Sequence, residues 1–170
     1  MNITDSWQRK EVEKMKNSIK IQTEIMKHIK RYNEGKVPRN AGYTEIDIDD
    51  RKIIIVVLNG YTAYYFNSDE FYIDKSKMEV FGGLKYYQDE LKNQEPIEPT
   101  GVIKQFITGT AVEFENKNFK VYVDEKLIKE FGKVEDLWFA GKGATKPVYV
   151  YEGENLVGLI MPMKMPKNKD

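Results

Sequence analysis

Lys146-Pro147-Val148-Tyr149-Val150-Tyr151, Glu152-Gly153-Glu154-Asn155 and Leu156-Val157-Gly158-Leu159-Ile160-Met161-Pro162-Met163-Lys164 follow one another near the C-terminus. Two apolar runs rich in β-branched and aromatic residues flank an acidic turn. That pattern predicts a β-hairpin. Working upstream, Ala111–Glu115 and Phe119–Val123 read as strands around an Asn116-Lys117-Asn118 turn. Asp124 is placed to cap a short helix over 125–131, closed by Gly132, with Leu127, Ile128 and Phe131 on its apolar face. Glu135–Ala140 reads as a strand, with a turn at Gly141-Lys142-Gly143.

The first half has a similar order. Val12, Met15, Ile19, Met26 and Ile29 recur at steps of three and four or their sum, with Ile25 and Tyr32 widening the stripe. This predicts an amphipathic helix over 5–33, roughly 40 Å long at about 1.5 Å per residue. Part of so long a helix would project, or pair with a second copy. Thr44, Ile46 and Ile48 alternate with acidic residues, as in a strand with one wet face. Asp49-Asp50-Arg51 turns the chain. Ile53–Leu58 and Tyr61–Phe66 read as strands joined by a two-residue Asn59-Gly60 hairpin turn, because both positions tolerate positive φ. Phe71-Tyr72-Ile73 suggests one more extended piece. Residues 74–109 are the least legible. A short interrupted helix over 77–92 and a proline-bound loop at Gln94–Pro99 are the expectations there.

At 170 residues the chain suits a single domain. Lys plus Arg and Asp plus Glu number 27 each, so global charge does not point to nucleic acid. The placement is uneven. Residues 1–40 hold ten basic against five acidic side chains, and residues 41–100 hold six against twelve. The basic arm either meets a polyanion or is a solvated helix face. There is no cysteine, so disulfides and thiolate chemistry are excluded. Without a signal-like or membrane-spanning run, the expectation is a soluble, cytoplasmic protein.

Catalytic chemistry finds little support. His28, the sole histidine, lies on the Lys-rich helix. Asp47, Asp49 and Asp50, like Asp69, Glu70 and Asp74, lack the glycine and terminal Glu of a calcium loop and read better as solvated edges. Gly141–Lys146 has the wrong order for a phosphate loop. Tyr61, Tyr64, Tyr65, Tyr149 and Tyr151 could stack on bases or a peptide, or simply pack a sheet. No catalytic residue, metal or cofactor is expected.

Taken together, Val121-Tyr122-Val123, Lys126-Leu127-Ile128-Lys129-Glu130-Phe131, Pro147-Val148 and Ile160-Met161-Pro162-Met163-Lys164 resemble the C-terminal half of a bacterial DNA polymerase sliding-clamp domain. The resemblance covers Phe119–Met165. The chain also resembles small phage and mobile-element proteins of Gram-positive bacteria. The clamp resemblance implies an α+β, DNA-clamp-like single domain. Two helix-plus-three/four-strand units would carry their helices on one face, with the long N-terminal helix added. The implied division is an arm and linker at 1–42, a domain at 43–165 with halves at 43–92 and 101–165, and a tail at 166–170. It further implies a non-enzymatic protein engaging a replication or repair partner or duplex DNA. Val148, Ile160, Met161, Pro162 and Met163 would fall at a peptide groove. Lys10, Lys14, Lys20, Lys27 and Arg31 of the arm, with Lys126, Lys129 and Lys133 of the short helix, are the polyanion candidates. A bacterial clamp chain has three such domains and this chain has room for one, so a ring would need several copies. The alternatives are an oligomeric interaction protein with no replication role and a small metal-dependent hydrolase or nuclease.

Overall fold

In the computed structural model the described backbone covers residues 3–81 and 94–164; within the first helix, side chains are described at residues 8–9 and from 16 onward. The chain is α+β, with ten strands and two α-helices among the described residues. It divides into two compact units, residues 1–58 with 65–84, and residues 59–64 with 85–170.

The first unit contains α1 (Ile3–Asn33), β1 (Gly42–Ile48), β2 (Arg51–Val57), the end of β3 (Thr62–Asn67) and the short β4 (Glu79–Val80). β1 and β2 are antiparallel, with Ile48 opposite Arg51. Their two-residue connection is Asp49-Asp50, with φ of 48° and 63°. Two successive left-handed residues make the mirror-image turn that matches strand twist, and Asp is among the few side chains that enter that region readily. That turn was expected at Asn59-Gly60, where neither residue has positive φ. There the Asn59 side chain holds the bend, its Oδ1 accepting from the N–H groups of Tyr61 (2.8 Å) and Thr62 (3.1 Å).

α1 buries Ile25 and Ile29, but Ile19 and Met26 of the predicted stripe stand 53% and 59% exposed. The buried face instead includes Gln22, 4% exposed. Its Nε2 donates to Glu70 O and its Oε1 accepts from Tyr72 N, both at 2.9 Å. A buried amide that satisfies two backbone groups of the facing loop is tolerated where an unpaired one is not. Phe71–Ile73 is not a strand: it links 3₁₀ turns at Ser68–Glu70 and Lys75–Lys77. β4 runs parallel to β1, where a helix was expected. The remainder of that predicted helix, from residue 82, lies outside the described residues.

The second unit contains β5 (Glu95–Phe106), β6 (Gly109–Glu115), β7 (Lys120–Asp124), α2 (Glu125–Lys129), β8 (Trp138–Gly141), β9 (Val148–Glu152) and β10 (Asn155–Ile160). Its strand order is β10-β9-β8-β5-β6-β7, with Thr62–Tyr64 of β3 paired to β10. The predicted loop at Gln94–Pro99 is mostly strand. β5 pairs with β8 through Glu95–Ile97 and then with β6 from Glu98 onward. Pro96 and Pro99 flank this change of partner, and the register breaks between Pro99 and Ile103 around Gly101 at φ 87°. A missing N–H interrupts no continuous ladder at such a corner. The strand predicted at Glu135–Ala140 begins later, after a 3₁₀ turn at Val134–Asp136.

β5 thus belongs to two sheets, and their inner faces meet at Phe114 and Phe139, whose ring centroids are 4.6 Å apart. Asp124 caps α2 by accepting from Lys126 N at 2.9 Å. Beneath the cap, Ile128 and Phe131 are buried, and Phe131 packs against Tyr64 at 5.5 Å between centroids. In chain order a helix precedes three strands twice, α1 before β1–β3 and α2 before β8–β10. The two helices are unequal, at 31 and 5 residues.

Candidate peptide-binding surface

β10 ends at Ile160, and the next three residues are held at both ends by other parts of the second unit. Met161 N donates to Tyr61 O and Met163 N to Tyr122 O, each at 2.8 Å. Pro162, which has no N–H to place, sits between them. The Met-Pro-Met segment therefore runs as a strap from the residue before β3 to the outer side of β7. Its three side chains are half-buried, and Tyr61 beside it is 65% exposed. The other groove candidates lie elsewhere: Val148 and Ile160 have no exposed surface and belong to the core. Of the five tyrosines considered for stacking, Tyr64, Tyr65 and Tyr149 are likewise buried, and Tyr151 is stacked by Trp138 at 3.9 Å. Tyr61 is the one with broad exposure.

Tyr122, which anchors the far end of the strap, is itself held by a polar cluster. Its hydroxyl donates to Glu113 Oε2 at 2.7 Å, and Thr100 Oγ1 donates to Glu113 Oε1 at 2.9 Å. Lys120 Nζ stands 3.9 Å from Glu113 Oε1, and Lys104 Nζ lies 4.9 Å from the centre of the Tyr122 ring. Glu113 is 5% exposed. A buried carboxylate needs such partners to stay ionised. The Tyr122 hydroxyl, then that of Thr100, and the charges of Lys120 and Lys104 hold the Glu113 carboxyl below its ordinary value of 4.5. Sequence reading missed this cluster. Its one signal was an acidic residue inside the apolar run Ala111–Phe114.

A folded-state value below the ordinary one means that ionised Glu113 stabilises the fold fully above that ordinary value. The contribution is lost as pH falls through the lower, folded-state value. Glu113→Gln should therefore be less stable than wild type at neutral pH, with the gap narrowing on acidification below 4.5. Urea unfolding across that range measures it. A gap independent of pH would show that Glu113 contributes through packing alone.

The polyanion candidates fall in both units. On α1, Lys20, Lys27 and Arg31 are exposed, Lys27 pairing with Glu24 at 3.1 Å. Those of Lys10 and Lys14 are outside the described side chains. In the second unit Lys126 and Lys133 are exposed, and Lys129 pairs with Glu125 at 3.3 Å. His28 Nε2 is 2.9 Å from Arg39 O, so that nitrogen carries the proton and donates. Asp49 and Asp50 form the β1–β2 turn. Asp74 accepts from Ser76 Oγ (2.7 Å) and N (3.0 Å), which keep its carboxyl below the ordinary range. Among the described residues, no three of His, Cys, Asp and Glu are grouped to hold a metal, and no helix is long and apolar enough to cross a membrane. No protein-family model, curated protein or solved structure matches the chain.

Proposed function

We propose that the chain is a non-enzymatic, clamp-like binding protein that docks an apolar peptide of a DNA-replication or repair partner on Met161–Met163 and Tyr61. The observation that carries this reading is the strap. Its backbone is pinned at both ends by Tyr61 and Tyr122, while its methionines stay half-exposed. A surface ordered in advance loses little entropy when it binds, and Met side chains adapt to varied apolar partners. The clamp-like part of the reading rests on the sequence resemblance, supported by the doubled order of a helix before three strands. Exposed Lys126 and Lys133 supply charge for a weak, sequence-independent contact with duplex DNA.

The test is selection from a random peptide display library, followed by anisotropy titration of the enriched peptides. Met161→Ala with Met163→Ala should weaken them by about tenfold or more, with the fold intact by circular dichroism. If no apolar peptide is enriched, or if the double variant binds as tightly, the docking surface is elsewhere. A second arm titrates duplex DNA. Affinity should fall steeply with salt and drop further in Lys126→Glu with Lys133→Glu, because each phosphate contact releases a counterion.

A further inference from the structure

β5 has an unpaired edge. Glu95–Ile97 pair with β8 alone; Glu98, Pro99 and Ile103–Phe106 then pair with β6 alone, and among the described residues no strand flanks the other side of this second stretch. Beyond the bulge the strand is regular, from Ile103 opposite Val112 to Phe106 opposite Gly109. Val102 and Ile103 are 44% and 56% exposed, and Ile107 just past the strand end is fully exposed. Edges are usually protected by charge. The one charged residue in Val102–Gly109 is Lys104. It reaches across β6 to the Tyr122 ring of β7, which draws its charge away from the edge.

We propose that this edge pairs, antiparallel, with the same edge of a second copy of the chain about a two-fold axis at Gln105. The pattern of the strand selects the occupant. A two-fold normal to a sheet sets residues of matching face opposite one another. Centred on Gln105, it places the stem of Lys104 against Phe106 of the second copy and brings Ile103 beside Ile107, the first residue of the β5–β6 turn. The two Gln105 side chains meet on the axis. Gln105 Oε1 accepts from Thr110 Oγ1 at 3.1 Å, and its amide NH₂ is a donor that a facing glutamine carbonyl can accept from. An axis on Lys104 would oppose like charges, which destabilises a strand pair. The pairing gives partners to edge N–H and C=O groups in both copies and covers the exposed isoleucines. It is independent of the peptide surface, and the short contact suits a weak, concentration-dependent dimer.

Sedimentation velocity from low to several hundred micromolar should show monomer passing to dimer. Ile103→Lys should raise the dissociation constant about tenfold or more. Its thermal unfolding should match wild type, because Ile103 is over half exposed. The chain has no cysteine, so Gln105→Cys introduces a single thiol. Opposed across the axis, these thiols should form a disulfide-linked dimer about tenfold faster than those of Lys117→Cys, an exposed control in the β6–β7 turn. A wild-type chain that stays monomeric throughout would overturn the proposal. So would a dimer indifferent to Ile103→Lys, or equal cross-linking at the two positions.

Discussion

Phe114→Ala is expected to lower the free energy of unfolding by about 3–5 kcal/mol. Phe114 is fully buried on β6 and meets Phe139 of β8 across the interior of the second unit. Truncation removes the ring's burial and leaves a cavity between two sheets that share β5, so neither is free to collapse into it. Domains are stable by only about 5–15 kcal/mol, so the variant should unfold at markedly lower urea. Phe114→Leu, which refills most of the space, should lose less. Ile107→Ala, at a fully exposed position, should change stability by less than about 0.5 kcal/mol. Equal midpoints for Phe114→Ala and Ile107→Ala would mean that the two sheets do not enclose the principal core of this unit.

Gly158→Ala should cost about 1–3 kcal/mol through overpacking. Its Cβ would lie 2.1 Å from Cε1 of Phe131 and 2.9 Å from the carbonyl oxygen of Ala63. The ring is 2% exposed and packed on Tyr64, so it has little room to shift, and the carbonyl is tied into the β3–β10 ladder. Adding Phe131→Leu should relieve the first clash and not the second. The double variant is then less destabilised than the sum of its parts, but still below Phe131→Leu alone. Strict additivity in a double-mutant cycle would show that residues 158 and 131 do not press on each other.

Features set within a few residues were legible before any fold was known. The closing hairpin was read from its two apolar runs, and it lies at Val148–Glu152 and Asn155–Ile160. Its turn contains Gly153 at φ 59°, a conformation that glycine adopts without strain. Asp124 was recognisable as a cap because a cap acts on the next two or three N–H groups. The α+β character followed from the contrast between the periodicity of 5–33 and the alternation after residue 43.

What was misread depends on partners far along the chain. A proline-rich stretch looks like a loop until β8 and β6 are seen to take opposite sides of β5 in succession. Gln22 looks like a break in an apolar stripe until Glu70 and Tyr72 present backbone groups to it, 48 and 50 residues away. The groove candidates show the same division. The resemblance to a clamp domain marked Val148, Ile160, Met161, Pro162 and Met163 as a set, carried over from the closing strands it matches. Tertiary structure placed Val148 and Ile160 in the core and left the three strap residues half-exposed. The sorting depends on where Tyr61 and Tyr122 bring their carbonyls, and that is set by long-range pairing of strands, which local periodicity does not encode.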